Sequence, residues 1–268
     1  MTTSLLNSLL RALLRWGAAL VFCLPLRHRS HFWARACGML FPLLLLAQLL
    51  DPLAQSTTLW QQQLLLLVLY VSFFALLGGM LYLCTDINKK GAMYCAVWSL
   101  LIAQCAYEGW CFLELQFARY GHPLNMASPW AVLVQLLSGA VFFAAVYLLL
   151  ARQLPYKGEY HIGPRQLFSA FFIGILFMVQ AAVLDNFRAE QFPRSVIATI
   201  LIGQFYFITL LYFQSELFKK SAMEKEMNAL NLLYERQRQQ YQVARQNVQI
   251  INKRCHELKV QIANLRKL

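Results

Sequence analysis

Charge is what this sequence has least of. Only 13% of its 268 residues are Asp, Glu, Lys or Arg, while 59% are hydrophobic. A soluble domain carries about a quarter charged residues, so a fully water-facing globular surface is excluded. Paired cysteines are also missing. Of the seven present none forms a Cys-x-x-Cys pair, and six (Cys23, Cys37, Cys84, Cys95, Cys105, Cys111) lie in or beside apolar segments. They read as small buried hydrophobes, which excludes a disulfide framework or a zinc site. No Gly-rich phosphate loop and no Mg-binding acidic cluster occurs, so the chain alone is expected neither to bind ATP nor to transfer phosphate. Beyond Phe213 there is no Gly and no Pro, as in an uninterrupted helix.

What is present is a series of long apolar runs. Seven can be marked, at roughly Leu5–Leu26, Phe32–Leu53, Leu64–Cys84, Met93–Leu115, Trp130–Leu150, Leu167–Leu184 and Val196–Phe213. About 20 residues of helix cross the ~30 Å hydrocarbon core, and a lone strand would leave its backbone unpaired there. The loops between them alternate in charge. Arg27, Arg29, Arg35, Lys89, Lys90, Arg152, Lys157 and Arg165 fall in one set, against Arg119, Arg188 and Arg194 in the other. Eight against three places the first set, and the tail after Phe213, in the cytoplasm. The first run is ambiguous because Asn7, Arg11 and Arg15 share one helical face. If it spans there are seven helices; if it lies in the interface there are six. Rings near segment ends, such as Trp60, Trp110, Trp130 and Tyr212, suit headgroup anchoring.

From Ser215 to the end stand eleven Lys or Arg against five Asp or Glu. Dispersed among apolar residues and without a recognition motif, they do not indicate a nucleic-acid partner. The apolar positions there form a heptad. Met227, Tyr234, Tyr241, Val248, Cys255 and Ile262 take position a; Leu230, Gln237, Ala244, Ile251, Leu258 and Leu265 take d. Such a repeat keeps one stripe turned to a partner and drives a left-handed supercoil, so a homodimer is expected. The fold class is therefore all-α. A polytopic transmembrane bundle of seven spans (six as the alternative) over residues 1–214 precedes a cytoplasmic coiled-coil helix over 215–268.

His256 falls at position b, beside that seam, with Glu257 next to it and Lys259 three residues on. An imidazole is a usable nucleophile, and a nearby carboxylate can orient it and take its proton. A lone surface histidine on a helix is nonetheless more often merely solvated. The run from Asn252 to Ile262, with its core Cys255-His256-Glu257-Leu258-Lys259, resembles the phosphoacceptor helix of GHKL-type sensor histidine kinases of Gram-positive bacteria. There a Cys-His-Asp-Leu-Lys motif follows a multi-span sensor, and Glu257 here replaces the Asp. The stretches Arg27–Trp33 and Cys84–Ala96 are similar to two loops of that family's membrane half. The resemblance implies a phosphate-accepting His256, Glu257 as adjacent base, and a response regulator as partner. ATP would be held only by a separate or missing kinase domain, leaving this chain without a cofactor of its own. Quorum peptides as ligands are implied by the resemblance alone.

Glu108, Glu114 and Gln104 lie in the fourth apolar run. A carboxylate in the hydrocarbon zone is costly and ordinarily turns to the bundle interior or a cavity, so these three are candidates for ligand binding or coupling. Glu114 lies nearer the outer interface, where it could simply be wet. Gln135, Gln180 and Gln204 suit hydrogen bonds between helices. His122 and His161 fall in loops, and no metal-ligand spacing stands out. The leading expectation is the sensor portion of a signalling histidine kinase in the cell membrane. Two alternatives are a transporter with an oligomerisation helix and a non-catalytic receptor or scaffold.

Overall fold

The structure is a computed structural model that describes residues 2–55, 59–119, 129–153, 162–187 and 194–265. Lys157, His122, His161 and Arg188 lie outside the described residues, as do the side chains of Trp60, Arg119, Arg194, Ile262 and Leu265. The described residues are helical apart from short connections. The helices are α1 (Thr2–Cys23), α2 (Phe32–Gly38), α3 (Leu40–Gln55), α4 (Leu59–Cys84), α5 (Lys89–Arg119), α6 (Pro129–Val146), α7 (Pro164–Phe187) and α8 (Arg194–Leu265). A single wide turn, Tyr147–Ala151, closes α6.

Among the described residues, five helical stretches are long and apolar enough to cross a membrane: Leu64–Cys84, Lys89–Ala118, Trp130–Ala151, Pro164–Ala181 and one beginning at Thr199. The expected run Phe32–Leu53 is two helices rather than one. Pro42 has no N–H to give to the carbonyl four residues back, which belongs to Gly38, and α2 ends at that residue. Proline is tolerated in the first turn of α3, where an N–H would have no partner in its own helix.

The chain forms two compact units, Met1–Glu216 and Leu217–Leu268. In the first, α1 packs on α3, α4, α5 and α6, and α5 also packs on α4 and α7. The core is aromatic at its centre, with Tyr70, Phe73, Tyr94, Trp98 and Phe177 fully buried. Close approach helps to build it: a Cβ on Gly17 would lie 2.9 Å from the Phe143 ring, so α1 and α6 meet where only a hydrogen fits.

Between α5 and α6, burial runs opposite to apolarity. The span of α5 is 67% buried although it carries Gln104, Glu108 and Glu114, whereas the more apolar span of α6 is 11% buried. Leu137, Val141 and Leu149 of that stretch, with Phe168 and Phe172 of α7, face outward. This is the distribution expected when the surroundings are lipid, because polar groups gain by turning inward.

The turns before α2 and before α5 are joined. His28 and Thr85 form an antiparallel bridge. The Arg29 N–H donates to the Cys84 carbonyl at 3.0 Å, and the Asp86 N–H donates to the Arg27 carbonyl at 2.9 Å. Arg29 pairs with Asp86 at 3.6 Å, and Arg35 Nη1 donates to the Leu83 carbonyl at 2.9 Å. Asn88 then caps α5, its Oδ1 accepting from the Gly91 N–H at 2.7 Å. A Cβ on Gly91 would lie 2.7 Å from Ile87, so glycine is needed for this tight entry.

The second unit is one helix, the part of α8 after Glu216. Every residue from 220 to 259 is exposed. Met227, Leu230, Tyr234, Tyr241, Val248, Ile251 and Leu258, all on the heptad stripe, are between 55% and 71% exposed.

Candidate functional site

Two polar clusters lie inside the bundle. The first joins α1, α4 and α5. Gln104 and Glu108 are one turn apart on α5, and Gln104 Nε2 donates to Glu108 Oε1 at 3.0 Å. The Tyr70 hydroxyl of α4 donates to Gln104 Oε1 at 3.4 Å. From α1, Arg11 Nη2 donates to the Tyr107 hydroxyl at 2.7 Å, and its guanidinium lies 4.8 Å from that ring's centroid. Arg15 stacks 3.9 Å over the Phe73 ring. Glu108 is 1% exposed, with Gln104 and Arg15 also buried. Arg11 and Arg15 of the α1 polar stripe are thus turned into the bundle, while the side chain of Asn7 lies outside the described residues. The side chains fill the space between the three helices, so the cluster acts as a lock between them rather than an open cup.

Of the three expected candidates in α5, two come together. Gln104 and Glu108 share the cluster, while Glu114 is half-buried six residues further on, about 240° around the helix from Glu108. Sequence reading missed Tyr70 and Tyr107. A tyrosine in an apolar run carries no mark of having a polar partner. The visible signal was the four-residue spacing of Arg11 with Arg15 and of Gln104 with Glu108.

The second cluster gathers α5, α7 and α8. Gln214 Nε2 donates to the Gln166 carbonyl at 2.8 Å and also to the Ser169 hydroxyl. Tyr94 of α5 faces Trp98, Gln166 and Ser215. All of Tyr94, Trp98, Gln166 and Ser215 are buried. Gln214 therefore makes the interhelical bond that was expected of Gln135, Gln180 or Gln204. Gln204 is fully buried, with neither end of its amide hydrogen-bonded among the described residues. Gln180 packs on the backbone of α8, where a Cβ on Gly203 would lie 3.0 Å from its Nε2.

In the second unit His256 is exposed. Glu257 is turned to Arg254, whose Nη1 lies 3.3 Å from Glu257 Oε2. Adjacent helical residues point about 100° apart, and Glu257 is engaged with Arg254 rather than with His256. Cys255 is exposed and free. Among the described residues no group of three His, Cys, Asp or Glu could hold a metal ion. The chain matches no protein-family model, no curated protein and no solved structure.

Proposed function

We propose that this chain is the membrane-embedded sensing portion of a histidine-kinase-type receptor, with His256 as its phosphate acceptor. The observation that carries the reading is α8. One helix holds Gln214 and Ser215, which are tied to α5 and α7, and also holds the exposed apolar heptad and His256. Support also comes from the motif Cys255-His256-Glu257-Leu258-Lys259 and from the two turns similar to that family's loops, which are bonded together here.

On this reading α1 crosses the membrane, since its arginines face the bundle and not the headgroups, and there are seven spans. The basic turns and the C-terminal unit are cytoplasmic. A second copy covers the heptad stripe, giving a parallel dimer. A stimulus on the bundle shifts α8 at the Gln214 junction, and the helix conveys the shift to His256. ATP and the kinase chemistry are supplied by another domain or chain, and a response regulator receives the phosphate.

Epistasis tests this without knowledge of the stimulus. Gln214→Leu removes the bonds to α7 and should change the basal level of phosphate on His256 in native membranes. Two glycines inserted after Ala222 each cost about 1 kcal/mol of helix and together rotate the downstream helix by about 200°. In that background Gln214→Leu should have no effect. An equal shift with and without the insertion contradicts coupling through the helix.

A further inference from the structure

One cavity in the bundle belongs to neither polar cluster. It lies between α1, α5, α6 and α8, with a cavity volume of about 260 Å³. Its wall is apolar, built by Leu14, Phe142 and Phe205 among others, and no charged residue lines it. Three polar side chains interrupt that wall: Ser138, whose hydroxyl donates to the Gln135 backbone carbonyl at 3.0 Å, and Trp110 and Gln135. Trp110 is 3% exposed and Gln135 is 4% exposed. The indole Nε1 of Trp110 and the amide Oε1 of Gln135 are buried with no hydrogen-bond partner.

A buried donor and a buried acceptor, both unanswered, are unusual, because most such groups are paired. In hydrocarbon there is no bulk water to answer them. At about 260 Å³ the cavity suits an occupant smaller than a drug-sized ligand, and the pattern of apolar wall with a few polar groups is what binding sites show. An anion or cation would lose its hydration without a counter-charge, so the occupant is neutral.

We propose that this cavity binds a small neutral amphiphile, an alkyl chain ending in a hydroxyl or carbonyl group, entering from the bilayer. Neither polar atom is open to the cavity in this structure, so on binding the Gln135 amide and the Trp110 indole turn into it. The hydroxyl then donates to Gln135 Oε1 and accepts from Trp110 Nε1, and the chain lies along Leu14, Phe142 and Phe205. The inference names the ligand class of the receptor proposed above and rests on that reading for its meaning, while its binding test stands apart from signalling. Because Leu201 and Phe205 of α8 also line the cavity, an occupant touches the helix that carries the output.

Gly109 gives the decisive variant. It lines the cavity, and a Cβ placed on it meets nothing within 4 Å, so a side chain can start here and Gly109→Leu takes up cavity space. The full chain in phosphatidylcholine nanodiscs would be photolabelled with a ten-carbon primary alcohol bearing a mid-chain diazirine. Labelled residues would be mapped by mass spectrometry, and each variant's thermal melt would be checked alongside. The expected result is saturable labelling at Gly109, Trp110, Gln135, Ser138 and Phe142, competed by decan-1-ol but not by decane. Gly109→Leu abolishes it, and Gln135→Leu weakens competition by about tenfold, the worth of one buried hydrogen bond.

Labelling that rises linearly with probe and spreads over the outward-facing Val141, Phe168 and Ile202 overturns the proposal in favour of bulk lipid. Equal competition by decane overturns it in favour of a groove for acyl chains. Absence of labelling at these residues overturns it as well, as when a second copy closes the mouth. Positive labelling with His256 never phosphorylated would instead leave the site standing and sink the kinase reading.

Discussion

Changing His256 to alanine is expected to reduce acid-labile phosphate on the chain to background when native membranes are supplied with radiolabelled ATP. The proposed association of the C-terminal helices should stay intact. The chemistry asks for a nitrogen lone pair that another protein can approach, and His256 is exposed at a heptad position beside the seam rather than in it. Alanine keeps the helix and leaves every a and d residue in place. Glu257→Gln should slow phosphorylation by about a hundredfold, the lower range of general-base effects. Its carboxylate is held by Arg254 at 3.3 Å in the resting helix, so Arg254→Gln should speed the reaction. Phosphate retained in His256→Ala would move the acceptor elsewhere and leave the protein a scaffold.

The largest loss of stability is expected from Glu108→Leu. Glu108 is 1% exposed and its Oε1 accepts from Gln104. Arg11 and Arg15 stand in the same cluster, which is lined by Tyr70, Gln104 and Tyr107. Removing one partner from a buried charged network costs about 3–5 kcal/mol, because the remaining charges stay behind without compensation. For a bundle of this size that is a fall of about 10 °C in the thermal midpoint in nanodiscs. Glu108→Gln keeps an acceptor for Gln104 and should cost less. The double change Glu108→Leu with Arg15→Leu should recover part of the loss, since an all-apolar contact replaces a half-emptied one. Equal melting of Glu108→Leu and the parent would show the cluster to be wet and structurally idle.

The apolar helices were legible because lipid imposes one simple rule on length and composition. Trp130–Ala151 and Leu64–Cys84 fall almost where the runs predicted them. A continuous apolar run carries no such mark of its breaks, and so the division at Gly38 and Met39 could only have been read from Pro42. The cluster at Glu108 was half legible. Four-residue spacing of polar residues in apolar helices located Gln104 and Glu108, but not which helices would answer them. The second cluster escaped because Gln214 sits where apolar sequence gives way to charge, a place where glutamine looks merely wet. Trp110 was read as a headgroup anchor, yet it is buried in a cavity wall. A tryptophan near a segment end has the same sequence signature in either role.

The C-terminal stripe is legible in the sequence and uncovered in the single chain, and its native chemistry offers a direct test. Cys255 takes heptad position a and is exposed and free. Across a parallel, in-register pair, equivalent a residues approach closely enough for a disulfide, whose Cα atoms stand about 4.4–6.8 Å apart. Mild oxidation of native membranes should therefore join two chains through Cys255 within seconds to minutes. Cys255→Ser should abolish the product, and Ile251→Asp should strongly reduce it. That result is what a parallel coiled-coil receptor requires. A Cys255 that reacts readily with a maleimide yet never crosslinks would contradict the dimeric helix on which the account depends.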